Sequence, residues 1–583
     1  MEYKYTAERN HLILLSLLKA YGIRKVIASP GATNITLVAS MQHDPYFEMY
    51  SCIDERSAAY MACGLAEKSG EPVIISCTGA TSAREYMSGL TEAFYRKLPV
   101  LAITSTQDIA RVGHLIAQVT DRSARPNDIV VESVHLQTIK DNIDEWDCMI
   151  KVNKALSALT WHGGGPVHIN LTTTYSRDYS VQTLPEVTKI SRYVVGDELP
   201  DITDGKIAVF VGAHNVWREQ ETKAIDAFCL ANNAVVLCDQ TSNYRGKYRV
   251  DCSLVGLQTK YSTPLFDIDL LIHIGEVSGA YDAMSFNPKT VWRVSSDGII
   301  RDQFKKLRAV FEMPENVFFE HYSHGNSKND SYISAWKSEN ERFKSLIPNL
   351  PFCNIWIAQQ ISNKIPANSV LYLGILNSLR SWNYFETPAS VAVHSNTGGF
   401  GIDGILSTLI GSSFENSQQP HYAVVGDLSF FYDMNSLGNR HIGNNIRILV
   451  VNNAKGMEFR LINHNGAMFG DETDKYIAAG GHYGNQSPYA IKHWAEDMGF
   501  EYLFASSKDE FKDIVDKFIS QNLTEKPMIF EVFTTTEDET SALKMMEELV
   551  VTTKEAFKEG MISVVRNTVG EKGIKTLKNI FHK

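Results

Sequence analysis

The chain has 583 residues, 44% hydrophobic and 21% charged, a balance typical of a folded protein rather than a disordered one. At about 150 residues per domain, a single core is excluded and three or four are expected. The formal net charge of −11, from 56 basic and 67 acidic side chains, is no footprint for nucleic acid.

The N-terminus, Met1-Glu2-Tyr3-Lys4-Tyr5, is charged from its second residue. The early apolar run Leu12 to Leu18 is far short of the ~20 residues that span a bilayer. No leader or membrane span is expected, and the expected location is cytoplasmic. The cysteines are scattered, none as C-x-x-C, and are expected to be reduced core residues.

Short apolar runs then alternate with helical patterns. Lys25 to Ala28, Pro72 to Ser76 and Val100 to Ile103 read as strands, with a helical stretch from Arg56 to Ser69 between the first two. Strands spaced by helices predict an α/β fold with doubly wound parallel sheets. The pattern recurs in three blocks, 1–180, 190–330 and 345–545, with a tail at 546–583. The second block contains the runs Ile207 to Gly212 and Asp269 to Gly275. The polar stretch Tyr322 to Ser331 separates it from the third. From Val551 on, basic residues outnumber acidic ones, which suits one or two amphipathic surface helices.

The third block carries the most informative chemistry. Tyr422 to Val425 reads as a buried strand ending in Gly426-Asp427-Leu428-Ser429, and Ile446 to Val451 as another ending in Asn452-Asn453. Ligands of an open parallel sheet sit beyond the carboxyl ends of its strands. There Asp427, Asn453 and a backbone carbonyl are hard oxygen donors, a set that holds Mg²⁺ when phosphate and water complete the octahedron. Gly426 is expected to allow a tight turn and a close phosphate approach.

This strand, G-D-x-S, strand, N-N pattern resembles the motif of thiamin diphosphate-dependent enzymes, with Leu428 in place of the motif's second glycine. Such chemistry needs a carboxylic acid at N1′ of the cofactor's pyrimidine, in a different domain from the diphosphate site. Glu55, in Asp54-Glu55-Arg56-Ser57 at the head of an Ala-rich helix, is the candidate. Its plain alternative is an acid that simply favours a helix N-terminus.

More closely, the chain resembles the SEPHCHC synthases of menaquinone biosynthesis. The resemblance is carried by Ser29-Pro30-Gly31, Asp54 to Ser57, Cys77 to Thr81, Gln118, Ser395-Asn396 with Gly401 to Gly404, and the two motifs of the third block. It implies a pyrimidine-binding, a central Rossmann-like and a diphosphate-binding domain. It also implies thiamin diphosphate and Mg²⁺ as cofactors. Asp427, Asn453 and the Lys455 carbonyl would bind the metal, and Ser378, Gly401, Gly426, Leu428 and Ser429 would bind the cofactor. Ile402 would be the apolar wedge that bends it, and Gln118 would face the reaction centre. Read plainly, Ile402 is a core residue starting a helix.

The match fails where that family binds its anionic substrates. Thr33, Thr397 and Trp382 stand where arginines are expected, and neither Thr nor Trp imitates a bidentate Arg–carboxylate pair. Isochorismate and 2-oxoglutarate are therefore poor candidates, and pyruvate is the first choice of donor. His114, one turn before Gln118 on an expected helix, and Glu458 are candidates for proton transfer. Each could equally be an ordinary surface or core residue. Arg380 and Arg56 are possible carboxylate anchors or surface ion pairs. Trp382 near Phe459 would suit a less charged acceptor.

The expected activity is decarboxylation of a 2-oxo acid followed by transfer of the remaining fragment to an acceptor carbonyl or alkene, by a homodimer or homotetramer. Simple non-oxidative decarboxylation is the alternative within enzymes. A non-catalytic nucleotide- or flavin-binding protein using Gly212 and Gly275 is the alternative outside them, though no G-x-G-x-x-G follows either strand.

Overall fold

The computed structural model describes residues 4–122, 125–202, 204–280, 284–324 and 329–550. The basic tail from 551 and part of the polar stretch 322–331 lie outside the described residues. The chain divides into two compact units, Met1–Tyr193 with Ile299–Val310, and Val194–Gly298 with Phe311–Lys583.

In the first unit, β1 (Lys25–Ala28), β2 (Glu48–Ser51), β3 (Val73–Thr78), β4 (Val100–Thr106), β5 (Glu132–Leu136) and β6 (Val167–Thr172) form one parallel sheet in the order β2-β1-β3-β4-β6-β5. Strands β3 and β4 are buried at every position, because helices cover both faces. Val26, Ile74, Leu101 and Ile103 pack with Leu14, Leu17 and Leu18 of helix Arg9–Ala20 and Val152 and Leu156 of helix Asn142–Ala158. Their chain neighbours Ile27, Val73, Ile75 and Ala102 point the other way. They meet Ala58, Ala59, Ala62 and Ala66 of helix Glu55–Ser69 and Leu90 and Ala93 of helix Met87–Arg96.

Strands β7 (Ser191–Val194) and β13 (Leu307–Glu312) run across boundaries between the units. The second unit holds two further sheets. In one, β8 (Ile207–Val211), β9 (Val235–Cys238), β10 (Arg249–Asp251), β11 (Asp267–Ile274) and β12 (Asn287–Val294) follow the order β10-β9-β8-β11-β12. Helix Glu219–Asn232 follows β8, and Glu221 in its first turn reaches back to accept from the Arg218 N–H at 2.8 Å.

The last sheet comprises β14 (Val370–Leu373), β15 (Ala392–His394), β16 (His421–Gly426), β17 (Ile446–Asn452), β18 (Glu501–Ala505) and β19 (Met528–Phe533). Its order, β15-β14-β16-β17-β19-β18, repeats the permutation of the first sheet. Arg447 on β17 is fully buried, and its guanidinium donates to the carbonyls of Lys517 (3.2 Å), Phe518 (3.1 Å) and Asn522 (2.9 Å). The three parallel sheets with interleaved helices are those expected from the alternating pattern.

Among the described residues no disulfide joins the cysteines; Cys52 is half-buried and the other seven are buried. No helix among the described residues is long and apolar enough to cross a membrane.

Candidate active site

The permuted order of the last sheet places its switch point between β14 and β16, where chain connections leave in opposite directions and a crevice opens. A cavity of about 590 Å³ lies there. It is lined by Ser378, Ile402, Gly426, Asp427, Leu428, Ser429, Asn453, Lys455 and Glu458. Of the second-unit positions that the resemblance gives to the metal and the cofactor, Gly401 alone is not among the lining residues.

Asp427 begins the short helix Asp427–Asp433 at the end of β16 and is 3% exposed. Burial pushes its carboxyl up to about 7, opposed by the backbone N–H groups of Asn453 and Leu428. Asn453 follows β17, and its buried Oδ1 accepts no hydrogen bond from any described residue. The paired register of the two strands brings these groups together, with Gly426 opposite Val451. Asn452 is held away: its Nδ2 donates to Glu531 at 2.6 Å and its Oδ1 accepts from the Ala454 N–H at 3.0 Å.

Gly426 has φ −78°, which any residue adopts, so the turn itself does not require glycine. A Cβ there would meet nothing within 4 Å, which leaves bare backbone for an approaching phosphate. Ser429 Oγ donates to the Ile402 carbonyl at 2.5 Å, fixing that half-buried side chain at the cavity wall. Helix Ile405–Ser413 starts only after it.

Among the described residues no cluster of three or more His, Cys, Asp or Glu side chains could hold a metal. A buried carboxylate costly to ionise alone and an unpartnered amide oxygen beside it still fit a hard cation that draws its other oxygens from carbonyls, water and phosphate. The donor set therefore suits a divalent metal with a diphosphate.

In the first unit, Glu55 is half-buried at the start of helix Glu55–Ser69. Asp54 caps that helix, accepting from the Arg56 N–H at 3.0 Å and from Ser57 Oγ at 2.8 Å. His114 and Gln118 are both exposed and do not share a helix, contrary to the i,i+4 expectation. Gly113 (φ 82°), Leu115 (φ 58°) and Gln118 (φ 61°) are left-handed, which breaks any helix through this segment. Thr33 is buried, with Oγ1 donating to the Ser105 carbonyl at 2.6 Å.

Trp382 is fully buried and is not among the cavity's lining residues, so it does not shape an acceptor pocket. The same helix instead supplies Arg380, whose Nη1 and Nη2 donate to Glu458 Oε2 and Oε1 at 2.9 and 2.7 Å. This pair, and the Lys455–Asp474 bond at 2.6 Å, join residues whose spacing carries no sequence signal.

Two α/β sheets of one permutation, with a cavity at the switch point of the second whose donor set suits a divalent metal and a diphosphate, fit the class of thiamin diphosphate-dependent enzymes. Residues 11–125 match the family model described as thiamine pyrophosphate enzyme, N-terminal TPP binding domain. The chain is 30% identical over 556 residues to a 2-succinyl-5-enolpyruvyl-6-hydroxy-3-cyclohexene-1-carboxylate synthase of Phocaeicola vulgatus, covering 93% of this chain and 98% of that protein. Synthases of the same name from Bacteroides thetaiotaomicron and Christiangramia forsetii are 29% and 27% identical, covering 93% and 89% of this chain and 98% and 95% of theirs. The chain belongs to the family of these synthases. It is a thiamin diphosphate-dependent enzyme acting on a 2-oxo acid, with a divalent metal beside the cofactor.

Proposed function

We propose that the enzyme decarboxylates a 2-oxo acid and transfers the remaining fragment to an acceptor carbonyl or alkene, with Mg²⁺ as its metal. The observation that carries this reading is the buried Asp427 carboxyl beside the unpartnered Asn453 Oδ1, at neighbouring strand ends in one cavity. When bound, thiamin diphosphate supplies the electron sink at the carbon that loses CO₂. Asp427, Asn453 and the Lys455 carbonyl hold the metal, and Ser378, Gly401, Gly426, Leu428 and Ser429 frame the diphosphate end. Ile402 fills space against the cofactor without competing for protons. Glu55 holds a proton at the pyrimidine N1′. His114 and Gln118 orient substrate by hydrogen bonds, and Glu458 adds a carboxylate to the wall.

The acceptor is one other than isochorismate, since Thr33, Thr397 and Trp382 offer no cation for its carboxylates. The first block is the pyrimidine-binding domain, the second a central Rossmann-like domain and the third the diphosphate-binding domain. Two copies of the chain supply the two ends of each site, which makes the working form a homodimer or homotetramer. Cysteines without cross-links support a cytoplasmic location.

Thermal denaturation with thiamin diphosphate and Mg²⁺ tests the metal site: at a hundred times Kd the ligands add about 2.7 kcal/mol of stability. Asp427→Ala is expected to lose that gain. Glu55→Gln is expected to keep it while CO₂ release from 2-oxo acids stops; release at the parent rate refutes the role of Glu55. Product analysis with and without an aldehyde or ketone acceptor separates fragment transfer from simple decarboxylation.

A further inference from the structure

We propose that Glu539 is a positioning residue for the diphosphate end of the cofactor, acting through Asn354 on the Ser378 hydroxyl. The inference rests on the role proposed above for Ser378. Glu539 is buried in helix Thr536–Glu547 and is not among the residues that line the cavity. Asn354, Asn377 and Ser378 all line it, and Asn354 and Ser378 are themselves buried.

Helix Asn354–Ile361 begins at the cavity wall, and the first N–H groups of a helix have no partner inside it. Glu539 Oε1 accepts the first of these, from Asn354, at 3.0 Å, together with the Thr534 hydroxyl at 2.8 Å. Burial pushes the Glu539 carboxyl up to about 7, opposed by hydrogen bonds from Thr534, the Asn354 N–H and the Asn377 side chain. One buried carboxyl thus ties two separate stretches of the wall to helix Thr536–Glu547.

Asn354 Nδ2 donates to Ser378 Oγ at 3.4 Å, while Asn354 Oδ1 accepts from no described residue. The amide is therefore placed by its own backbone and by the Ser378 contact, and the Glu539 bond fixes that backbone. Ser378 Oγ accepts there and donates to no described residue, which leaves its proton for an oxygen of a bound diphosphate. The wall between them turns through Leu376 at φ 67°, a conformation that a leucine keeps only where its surroundings hold it. Asn377, the next residue, is held by the same Glu539 carboxyl.

The test is calorimetric titration of the full chain with thiamin diphosphate at saturating Mg²⁺. Glu539→Asp keeps the charge but is one methylene too short for the Asn354 N–H, and is expected to raise Kd about tenfold. Glu539→Gln keeps the reach and an acceptor, and Asn377 can turn its amide to take the new N–H, so Kd is expected within about threefold of the parent. Ser378→Ala and Asn354→Ala, which cut the link further along, are each expected to match Glu539→Asp. Combining Glu539→Asp with Ser378→Ala is expected to add no more than about twofold to either change alone. In urea unfolding without cofactor, Glu539→Asp is expected to lower the midpoint equally with Ser378 present or replaced, so a merely structural effect stays additive there. Magnesium pyrophosphate, which carries the diphosphate alone, is expected to repeat the pattern of Kd values. Additive losses in the double variant overturn the inference, as does a parent-like Kd in Glu539→Asp or Asn354→Ala while Ser378→Ala weakens binding. A parent-like Kd in Ser378→Ala overturns the reading on which the inference rests.

Discussion

Gly89→Ala probes how the helix that begins with Glu55 is held. Helices Glu55–Ser69 and Met87–Arg96 cross at Gly89. A Cβ there would fall 2.4 Å from Ala59 Cβ, 2.9 Å from the Ala59 carbonyl carbon and 3.0 Å from the Tyr60 nitrogen. Carbon atoms rest about 3.5–4.0 Å apart, so the helices must separate by roughly 1 Å. Two of the three contacts are backbone and cannot rotate away. Overpacking of this kind costs about 1–3 kcal/mol, and the gain in helix propensity of alanine over glycine returns about 1. A net loss of roughly 1–2 kcal/mol is therefore expected. Urea unfolding of the protein without cofactor, followed by circular dichroism, reads it as a lower midpoint at constant slope. Adding Ala59→Gly removes the Cβ contact but leaves the carbonyl carbon, so it should restore only part of the loss. An unchanged or raised midpoint for Gly89→Ala would refute the close-packing argument.

Two other outcomes follow from buried polar groups. His168 sits between Thr104 Oγ1 (2.7 Å) and Ser133 Oγ (3.0 Å), and burial, with Arg122 nearby, lowers its pKa to about 3. A depressed histidine stays neutral when folded and takes a proton when unfolded. Its stabilisation is thus complete above the unfolded value near 6.5 and is lost as pH falls toward 3. Between pH 7 and 5 this accounts for about 2 kcal/mol of the drop in stability, and His168→Gln should flatten the acid limb by that amount in urea titrations. Replacing Arg447 by Met removes the guanidinium donor from the carbonyls of Lys517, Phe518 and Asn522, of which the Phe518 contact is buried, and takes a fully buried side chain out of the β17 packing. A loss of about 1–3 kcal/mol in the same assay is expected, and a neutral result would show that water reaches the Phe518 carbonyl.

The α/β class and the strand ends that carry chemistry were legible in the chain because both depend on local pattern. Continuous apolar runs such as Val73 to Ser76 and Ile446 to Val451 cannot be half-exposed, and they became strands buried on both faces. Gly426-Asp427 and Asn452-Asn453 each follow such a run directly, so their place at a carboxyl edge is set by sequence adjacency. The Asp54 cap in front of Glu55 is equally local.

Strand order was not local, and what depends on it was decided only by the tertiary structure. Spacing alone does not say that β16 pairs with β17, and that pairing is what sets the Asp427 carboxyl against Asn453. The separation of 78 positions between Arg380 and Glu458 carries no period that would announce a bidentate pair. Helix phase was also beyond the sequence: one turn of helix Asn377–Trp382 buries Trp382 and sends Arg380 to Glu458. The segment holding His114 and Gln118 reads as helix by spacing, but left-handed backbone at Gly113, Leu115 and Gln118 makes it a series of turns. By itself the sequence determined which side chains stand at the ends of buried strands, since hydrophobic period and adjacency act over a few residues. Which of those ends meet, and which charges neutralise one another, was settled only by the order in which the strands pack, because such contacts form between segments that share no local signal.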